Sequence, residues 1–329
     1  MPDSNEAGAE EPRAGSRVLS LFANPLHARV LRAHVDGPQR LAEVHEGIGW
    51  SAHTTLRAAI TNLRKLGALD KREVGVSRYA VATELTPAGE EVLFAADVVE
   101  RWLAFAPDGP IAPDSDAAKG AIKALSAGWS STLMRALANR SFTLTELDRV
   151  IPGISYPSLE RRVAGMRAAG QIEPVQTNGR GTPYVVTDWL RRSIAPLCAA
   201  GRCERRHLPD RSAPITNLEV EAAFMLAIPL VPLPKTANGT CMLAVRPEAG
   251  ETHINGHNLA GVTVEVERGE VVSCAPQVDG SPPTWALGSA EEWLGVVIDG
   301  DLETLRFGGA RPQLALDLVS GLHFVLFGA

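Results

Sequence analysis

The sequence predicts a multidomain α+β chain: two helix-turn-helix units, each closed by a β-hairpin, followed by a separate α+β domain. Three observations predict it. A helix–turn–helix–hairpin pattern occurs twice, acidic and basic residues divide unevenly along the chain, and strand-like runs replace arginine-rich helices towards the end. The expected division is a tail over 1–15, a first unit over 16–105, a linker over 106–116, a second unit over 117–206, a linker over 207–217 and a last domain over 218–329.

The second unit is the clearer of the two. Leu144, Leu147 and Ile151 recur at helical spacing in LTELDRVI, which reads as a short amphipathic helix. Pro152-Gly153 breaks it, and Ser155 is placed to cap the next helix through its hydroxyl. In that helix Leu159, Val163 and Met166 share the face turned to the core, while Ser158, Arg161 and Arg162 share the other. Gly170 ends it, because glycine adopts positive φ without a Cβ clash. Residues 172–177 and 183–186 then read as two strands joined by Asn178-Gly179-Arg180-Gly181. Helix, tight turn, helix and hairpin together make a winged helix-turn-helix.

The first unit repeats this plan. Residues 19–35 are helical with a break at Asn24-Pro25, and Gly37-Pro38 stops them. Residues 41–48 read as the first helix of the pair and Ser51 begins the second, with Leu56, Ile60 and Leu63 inward and Gly67 at its end. Strands at 69–73 and 78–82 flank a tip at Gly75-Val76-Ser77, and Leu85-Thr86-Pro87-Ala88-Gly89 opens a long amphipathic helix reaching about residue 105. Leu56, Ile60, Leu63 and Gly67 correspond in spacing to Leu159, Val163, Met166 and Gly170. The cap does not: five residues separate Ser51 from Leu56, but four separate Ser155 from Leu159. The turn of the first copy is therefore longer or capped elsewhere. The tail (MPDSNEAGAEEPRAG) has no apolar periodicity and is expected to be disordered.

These residues resemble the HxlR, MarR and ArsR groups of bacterial transcription regulators. ANPLHARVLRAHVDGP resembles the opening helix of an ArsR-type winged helix. LTPAG matches the LTPxG that follows the wing in this group, and Ala127-Gly128-Trp129 is similar to the GGKW that starts HxlR-type domains. Two departures limit the resemblance. The cysteine that often precedes that motif is missing, so redox sensing is not implied. Thr187-Asp188-Trp189-Leu190 replaces LTPxG after the second hairpin, so the dimer-forming helix is not implied for that copy.

Strand-like runs in the last domain lie at 240–246, 261–267 and 270–274, with the hairpin-turn dipeptides Asn255-Gly256 and Arg268-Gly269 between them. Ser289 and Glu292 form a capping box that starts a helix carrying Trp293, Leu294 and Val297. An apolar helix over 312–327 closes the chain. The strand meander, TWALGSAEEWL, DGDLETLRFGG and the closing helix resemble the sterol carrier protein type two superfamily. The resemblance implies an apolar ligand held between sheet and helices. Trp285, Trp293, Leu294, Val297, Phe307, Leu318, Leu322 and Phe324 are the candidate ligand contacts, and the same residues would equally serve as an ordinary core. Phe224 and Met225, on a preceding helix, are as easily interdomain contacts.

A winged helix reads DNA with small polar or basic residues on the outward face of its second helix. Candidates in the first unit are Ser51, His53, Thr54, Thr55 and Arg57, with Arg72 and Arg78 on the hairpin. Those in the second are Ser155, Tyr156, Ser158, Arg161 and Arg162, with Arg180 at the hairpin tip. Net charge is −6, yet residues 106–214 carry fifteen basic and ten acidic side chains, and residues 215–329 carry five and fourteen. The basic middle predicts phosphate binding, mainly by the second unit. The expected partners are double-stranded DNA and an apolar small molecule. The tandem fits either a pseudo-palindrome bound by one chain or a longer site bound by a homodimer.

Other chemistries find little support. No nucleophile motif or phosphate loop occurs, so neither an enzyme nor a cofactor is expected. His253 and His257 have the spacing of a helical zinc pair, but Asn255-Gly256 between them favours a turn. Cys198 and Cys203 lie among arginines that could lower a thiol pKa, against the plainer reading of inert thiols near a helix end. The four cysteines form no CxxC pair and imply reduced thiols in a cytoplasmic protein. The acidic start is unlike a signal peptide, and the longest apolar run, 222–234, is interrupted by Pro229 and Pro232 and too short to span a bilayer. The 27 arginines against 5 lysines fit a high-GC bacterial genome. The sequence therefore predicts a ligand-responsive transcription regulator. A carrier or sequestering protein for an apolar compound, using its winged helices for assembly, is the alternative.

Overall fold

The computed structural model describes residues 13–49, 52–73, 81–128, 131–151, 153–176, 181–209, 212–246, 259–276 and 284–328. The greater part of the expected tail, both hairpin tips, the Asn255-Gly256 turn and the His253/His257 pair lie outside the described residues. The chain is mixed α+β, and among the described residues no helix is long and apolar enough to cross a membrane.

The first half begins with α1 (Ser16–Leu21) and α2 (Leu26–Arg32), separated where Asn24-Pro25 predicts. Then come α3 (Leu41–Ile48), α4 (His53–Lys65), and the antiparallel hairpin of β1 (Leu69–Glu73) and β2 (Val81–Leu85). Leu56, Ile60 and Leu63 are buried as their spacing predicts. β2 extends past the 78–82 pattern to Leu85, which pairs with the buried Leu69 and closes the hairpin onto the next helix; residues 78–80 lie outside the described residues. That helix is α5 (Pro87–Ala104). Thr86 caps it, accepting the Gly89 N–H at 3.0 Å and donating its hydroxyl to the Gly67 carbonyl at 2.6 Å. A Cβ at Gly89 would collide with the Ala68 carbonyl oxygen, which explains the glycine of LTPAG.

The second unit comprises α6 (Asp116–Gly128), α7 (Ser131–Asn139), α8 (Leu144–Val150), α9 (Tyr156–Ala168), and a short hairpin of β3 (Ile172–Pro174) and β4 (Tyr184–Val186). The expected strand over 172–177 is shorter, ending at Pro174: Val175 N–H still donates to the Pro183 carbonyl at 2.8 Å, but Pro183 has no N–H to return the bond. Ser155 occupies the cap position of α9 but makes no side-chain capping bond. Pro157 removes one N–H that such a cap would otherwise serve. The same pins recur in both units. Gln39 and Thr83 exchange backbone hydrogen bonds at 2.8 Å, as do Phe142 and Tyr184 at 3.1 and 2.8 Å. Thr187 takes the place of Thr86, donating to the Gly170 carbonyl at 3.1 Å and accepting the Leu190 N–H at 3.3 Å.

A helix does follow the second hairpin, despite the departure from LTPxG. It is broken at Ser193 into α10 (Asp188–Arg192) and α11 (Ile194–His207). α11 packs along α5, and α1 lies against both. The Glu204 carboxylate on α11 is buried and accepts the N–H groups of Arg17 and Val18 at 2.8 and 2.9 Å, supplying α1 with the N-terminal acceptor its own side chains lack. Where α5 ends against α10, the indoles of Trp102 and Trp189 stack at 4.6 Å with 9° between their planes. Trp102 Nε1–H donates to the Trp189 carbonyl at 2.9 Å, and Trp189 Nε1–H donates to the Trp102 carbonyl at 2.8 Å.

The last part of the chain is α12 (Asn217–Ala227), a five-stranded mixed sheet and two helices. Its strands are β5 (Gly239–Arg246), β6 (Ala260–Glu267), β7 (Glu270–Ala275), β8 (Thr284–Ser289) and β9 (Arg306–Gly309), in spatial order β7-β6-β5-β8-β9. β5, β6 and β7 form the expected meander, but β8 returns to pair parallel with β5. Arg268 and Gly269 turn between β6 and β7 with φ of 52° and 78°, both positive as a tight hairpin requires. The predicted Ser289–Glu292 box caps α13 (Ala290–Asp299), and α14 (Pro312–Phe327) is the closing helix.

Trp102→Ala and Trp189→Ala are each expected to destabilise the fold by about 3–5 kcal/mol. Urea denaturation of the double variant should give less than the sum of the two, because each indole satisfies the other's backbone.

Candidate functional site

Two regions gather the residues singled out by the sequence. The first is the outward surface of α4 and α9. His53, Thr54, Thr55 and Arg57 are exposed on α4, and Ser155, Tyr156 and Arg161 are exposed around the start of α9. Tyr156 is 43% exposed, a large aromatic ring left in solvent. His53 is not isolated: its ring stacks on that of His45 on α3, with centroids 3.8 Å apart and planes 6° apart. Ser158 and Arg162 are only half-buried, and Arg162 turns with Arg161 towards an open cleft between α9, α6 and residues 106–112. Arg72 is engaged on its own hairpin by Glu84 at 2.5 Å. Ser51, Arg78 and Arg180 lie outside the described residues.

The charge division has a second cause besides any phosphate. Many arginines of the second unit face the acidic last part of the chain. Arg135 pairs with Glu221 at 2.9 Å, and Arg205 and Arg206 approach Glu291 at 3.4 and 3.5 Å. Arg202 is almost fully buried, bridging Asp299 at 2.7 Å and Glu91 on α5 at 3.3 Å. Arg191 donates to the Met225 and Leu226 carbonyls at the end of α12. Arg192 donates to the Val325 carbonyl and Arg101 to that of Phe327, so two guanidiniums meet the last turn of α14. Cations there complement the exposed carbonyls and the negative end of the helix dipole. Much of the basic excess is thus complementary to the chain itself.

The second region is a partly open apolar cavity of about 130 Å³ between α11, α12 and α13, bordered also by Val245 of β5 and Leu322 of α14. Its walls are three helical stripes. Ile194, Leu197, Cys198 and Gly201 recur at i, i+3, i+4 and i+7 on α11. Val220, Ala223, Phe224 and Ala227 do so on α12, and Ala290, Trp293, Leu294 and Val297 on α13. Phe224 meets Trp293 edge-on at 4.8 Å, and Trp293 Nε1–H donates to the Ala244 carbonyl at 2.8 Å, which fixes the indole in the wall. Arg13 and Glu219 also border the space. Burial raises the Glu219 carboxyl above the usual range, opposed by hydrogen bonds from Thr216 and the charge of Arg13.

The cavity collects half of the apolar candidates. Trp293, Leu294, Val297 and Leu322 line it, whereas Trp285, Phe307, Leu318 and Phe324 do not. Leu318 is in the core, Trp285 covers Gly308 across the β8–β9 pair, Phe307 is half-buried on β9, and Phe324 is 62% exposed on α14. The α11 wall is masked in the sequence by the arginines of that helix, although its four-residue stripe is legible there. The neighbouring arginine does not activate the thiols. Burial pushes Cys198 and Cys203 up to about 12, with Glu91 and Glu204 adding to the rise at Cys203, so both are neutral thiols at ordinary pH. Among the described residues no three His, Cys, Asp or Glu side chains gather to hold a metal ion.

No protein-family model matches the chain, and no curated protein matches it.

The two kinds of arginine should separate in a stability measurement. Arg161→Ala, on the exposed face of α9, is expected to change stability by no more than about 0.5 kcal/mol. Arg202→Ala removes the partner of two carboxylates and should cost about 3 kcal/mol, at the low end for a buried ion pair because Asp299 is half exposed. Urea denaturation of the two variants checks both.

Proposed function

We propose that this chain is a ligand-responsive transcription regulator of bacterial type, in which tandem winged helices read duplex DNA and the last domain senses an apolar small molecule. One observation carries the reading. Two helix–helix–hairpin units with matching pins are joined through the helices that follow their hairpins, α5 and α11, inside a single chain. This imitates the dimer of a single-unit regulator, whose recognition helices sit about 34 Å apart, one turn of DNA. α9, with Tyr156, Arg161 and Arg162, is the principal reader, and α4, with His53, Thr54, Thr55 and Arg57, is the second. Since α5 and α11 already cover one another, one chain is expected per pseudo-palindromic site.

The apolar cavity gives the last domain a sensing role. A ligand that favours one arrangement of α11, α12 and α13 shifts the population of DNA-competent molecules by its differential affinity. The carrier reading is favoured by a different observation, the engagement of the second unit's arginines within the chain. Under it the cavity holds cargo and the tandem units serve assembly.

Fluorescence anisotropy on DNA from upstream of its own gene, titrated with salt, separates the two. A regulator binds that duplex saturably, better than a scrambled one, and loses affinity steeply as salt rises. Arg161→Ala combined with Arg162→Ala should weaken binding at least about tenfold, about 1.4 kcal/mol, with the circular dichroism spectrum unchanged. Absence of binding to any duplex at low salt would assign the chain to the carrier class.

A further inference from the structure

Gly201 is the residue of α11 that helix formation and packing leave unexplained. It sits in the interior of a fourteen-residue helix with ordinary negative φ, where glycine is a poor choice. It is buried, yet a Cβ built on it meets nothing within 4 Å. The neighbouring close approach is not the cause, since the atom that would clash there is a Cβ on Gly15, 2.8 Å from the Gly201 nitrogen. What Gly201 borders is the apolar cavity, and the missing side chain is volume added to it.

We infer that this cavity is a binding site for a compact, uncharged aromatic molecule, and that Gly201 keeps it open. Its size, about 130 Å³, is close to the roughly 150 Å³ of an apolar protein cavity that takes up benzene. Trp293 and Phe224 present ring faces and edges, the geometry in which aromatic groups pack on one another. Cys198 contributes a neutral thiol. The Glu219 carboxylate is already held by the N–H and hydroxyl of Thr216 at 2.8 and 3.1 Å and is opposed by the charge of Arg13 beside it, so the two charges at the border offset one another and favour no charged ligand.

The wall at Gly201 belongs to α11, outside the last domain, and its neighbour Arg202 ties that helix to Glu91 on α5 and Asp299 at the end of α13. Resting on the regulator reading, occupancy at Gly201 is thereby linked to the α5–α11 pairing that sets the two units against each other.

The test uses the full chain and ¹⁹F NMR of fluorobenzene, with 4-fluorobenzoate as its anionic counterpart. Fluorobenzene should show saturable exchange broadening with the native protein. Gly201→Leu should abolish it by filling the space, and Gly201→Ala, whose Cβ meets nothing within 4 Å, should leave the melting temperature equal or higher. The benzoate should bind at least tenfold more weakly. Unchanged fluorobenzene binding by Gly201→Leu, no binding by the native protein, or tighter binding of the benzoate would each overturn the inference. Anisotropy on the same samples tests the regulator separately: loss of fluorobenzene binding in Gly201→Leu with no DNA binding by either protein keeps the site and discards the regulator.

Discussion

Trp102 and Trp189 exchange hydrogen bonds in a way that neither could replace from solvent. Each buried indole N–H is satisfied only by the backbone carbonyl of the other residue, and the stacked rings exclude water from both bonds. A buried donor left without a partner costs about 1–3 kcal/mol, so the two contacts stand or fall together. They fix the end of α5 against α10, and only Ser193 separates α10 from α11. The direction in which α11 leaves that junction decides where Arg202 and Glu204 fall. Those two side chains in turn reach α5, α1 and α13. The relation of the two halves, and of both to the sheet, therefore descends from one aromatic pair.

This frame changes the meaning of the charge pattern. Counted along the sequence, the basic middle and acidic end look like separate tasks, one for a polyanion and one for something else. In the fold they are to a large degree one task, because Arg135, Arg191, Arg192, Arg202, Arg205 and Arg206 all meet carboxylates or helix-terminal carbonyls of the acidic part. Fewer basic side chains are left for a polyanion than composition alone implies. Those that remain lie at the surface of α4 and α9, two such helices presented in one chain.

What the sequence disclosed was mostly local. Thr86 and Gly89 could be read from LTPAG, because a cap and a close backbone approach depend on residues within one turn. The Ser289–Glu292 box, the Arg268-Gly269 turn and the inward faces of α4 and α9 are local in the same sense. Contacts between distant segments were hidden. Nothing near Trp189 announces that its partner is Trp102, and the parallel pairing of β8 with β5 follows from a crossover that leaves no periodic signature. Ser155 misled for a related reason: the residue type suits a cap, but a proline two positions later changes which N–H groups need one. Of the apolar candidates, those on α13 are legible because a capping box fixes the helix register. The α11 side of the same cavity is hidden because arginines dominate that segment.

The break at Ser193 gives the asymmetry a physical origin. α5 continues through the length at which its counterpart stops, and the interruption lets Arg191 and Arg192 leave the helix pair and reach the carbonyl ends of α12 and α14. In a two-fold dimer the same break would occur twice and bring in two copies of the last domain. Within one chain it occurs once, so the sheet and its helices dock on a single side. α11 then has two unlike faces: one packed on α5 and α1, the other lining an apolar cavity through a glycine that leaves space rather than filling it. α11 thus borders the apolar cavity while it packs on α5 and α1, so the two helical halves and the sheet meet along a single helix.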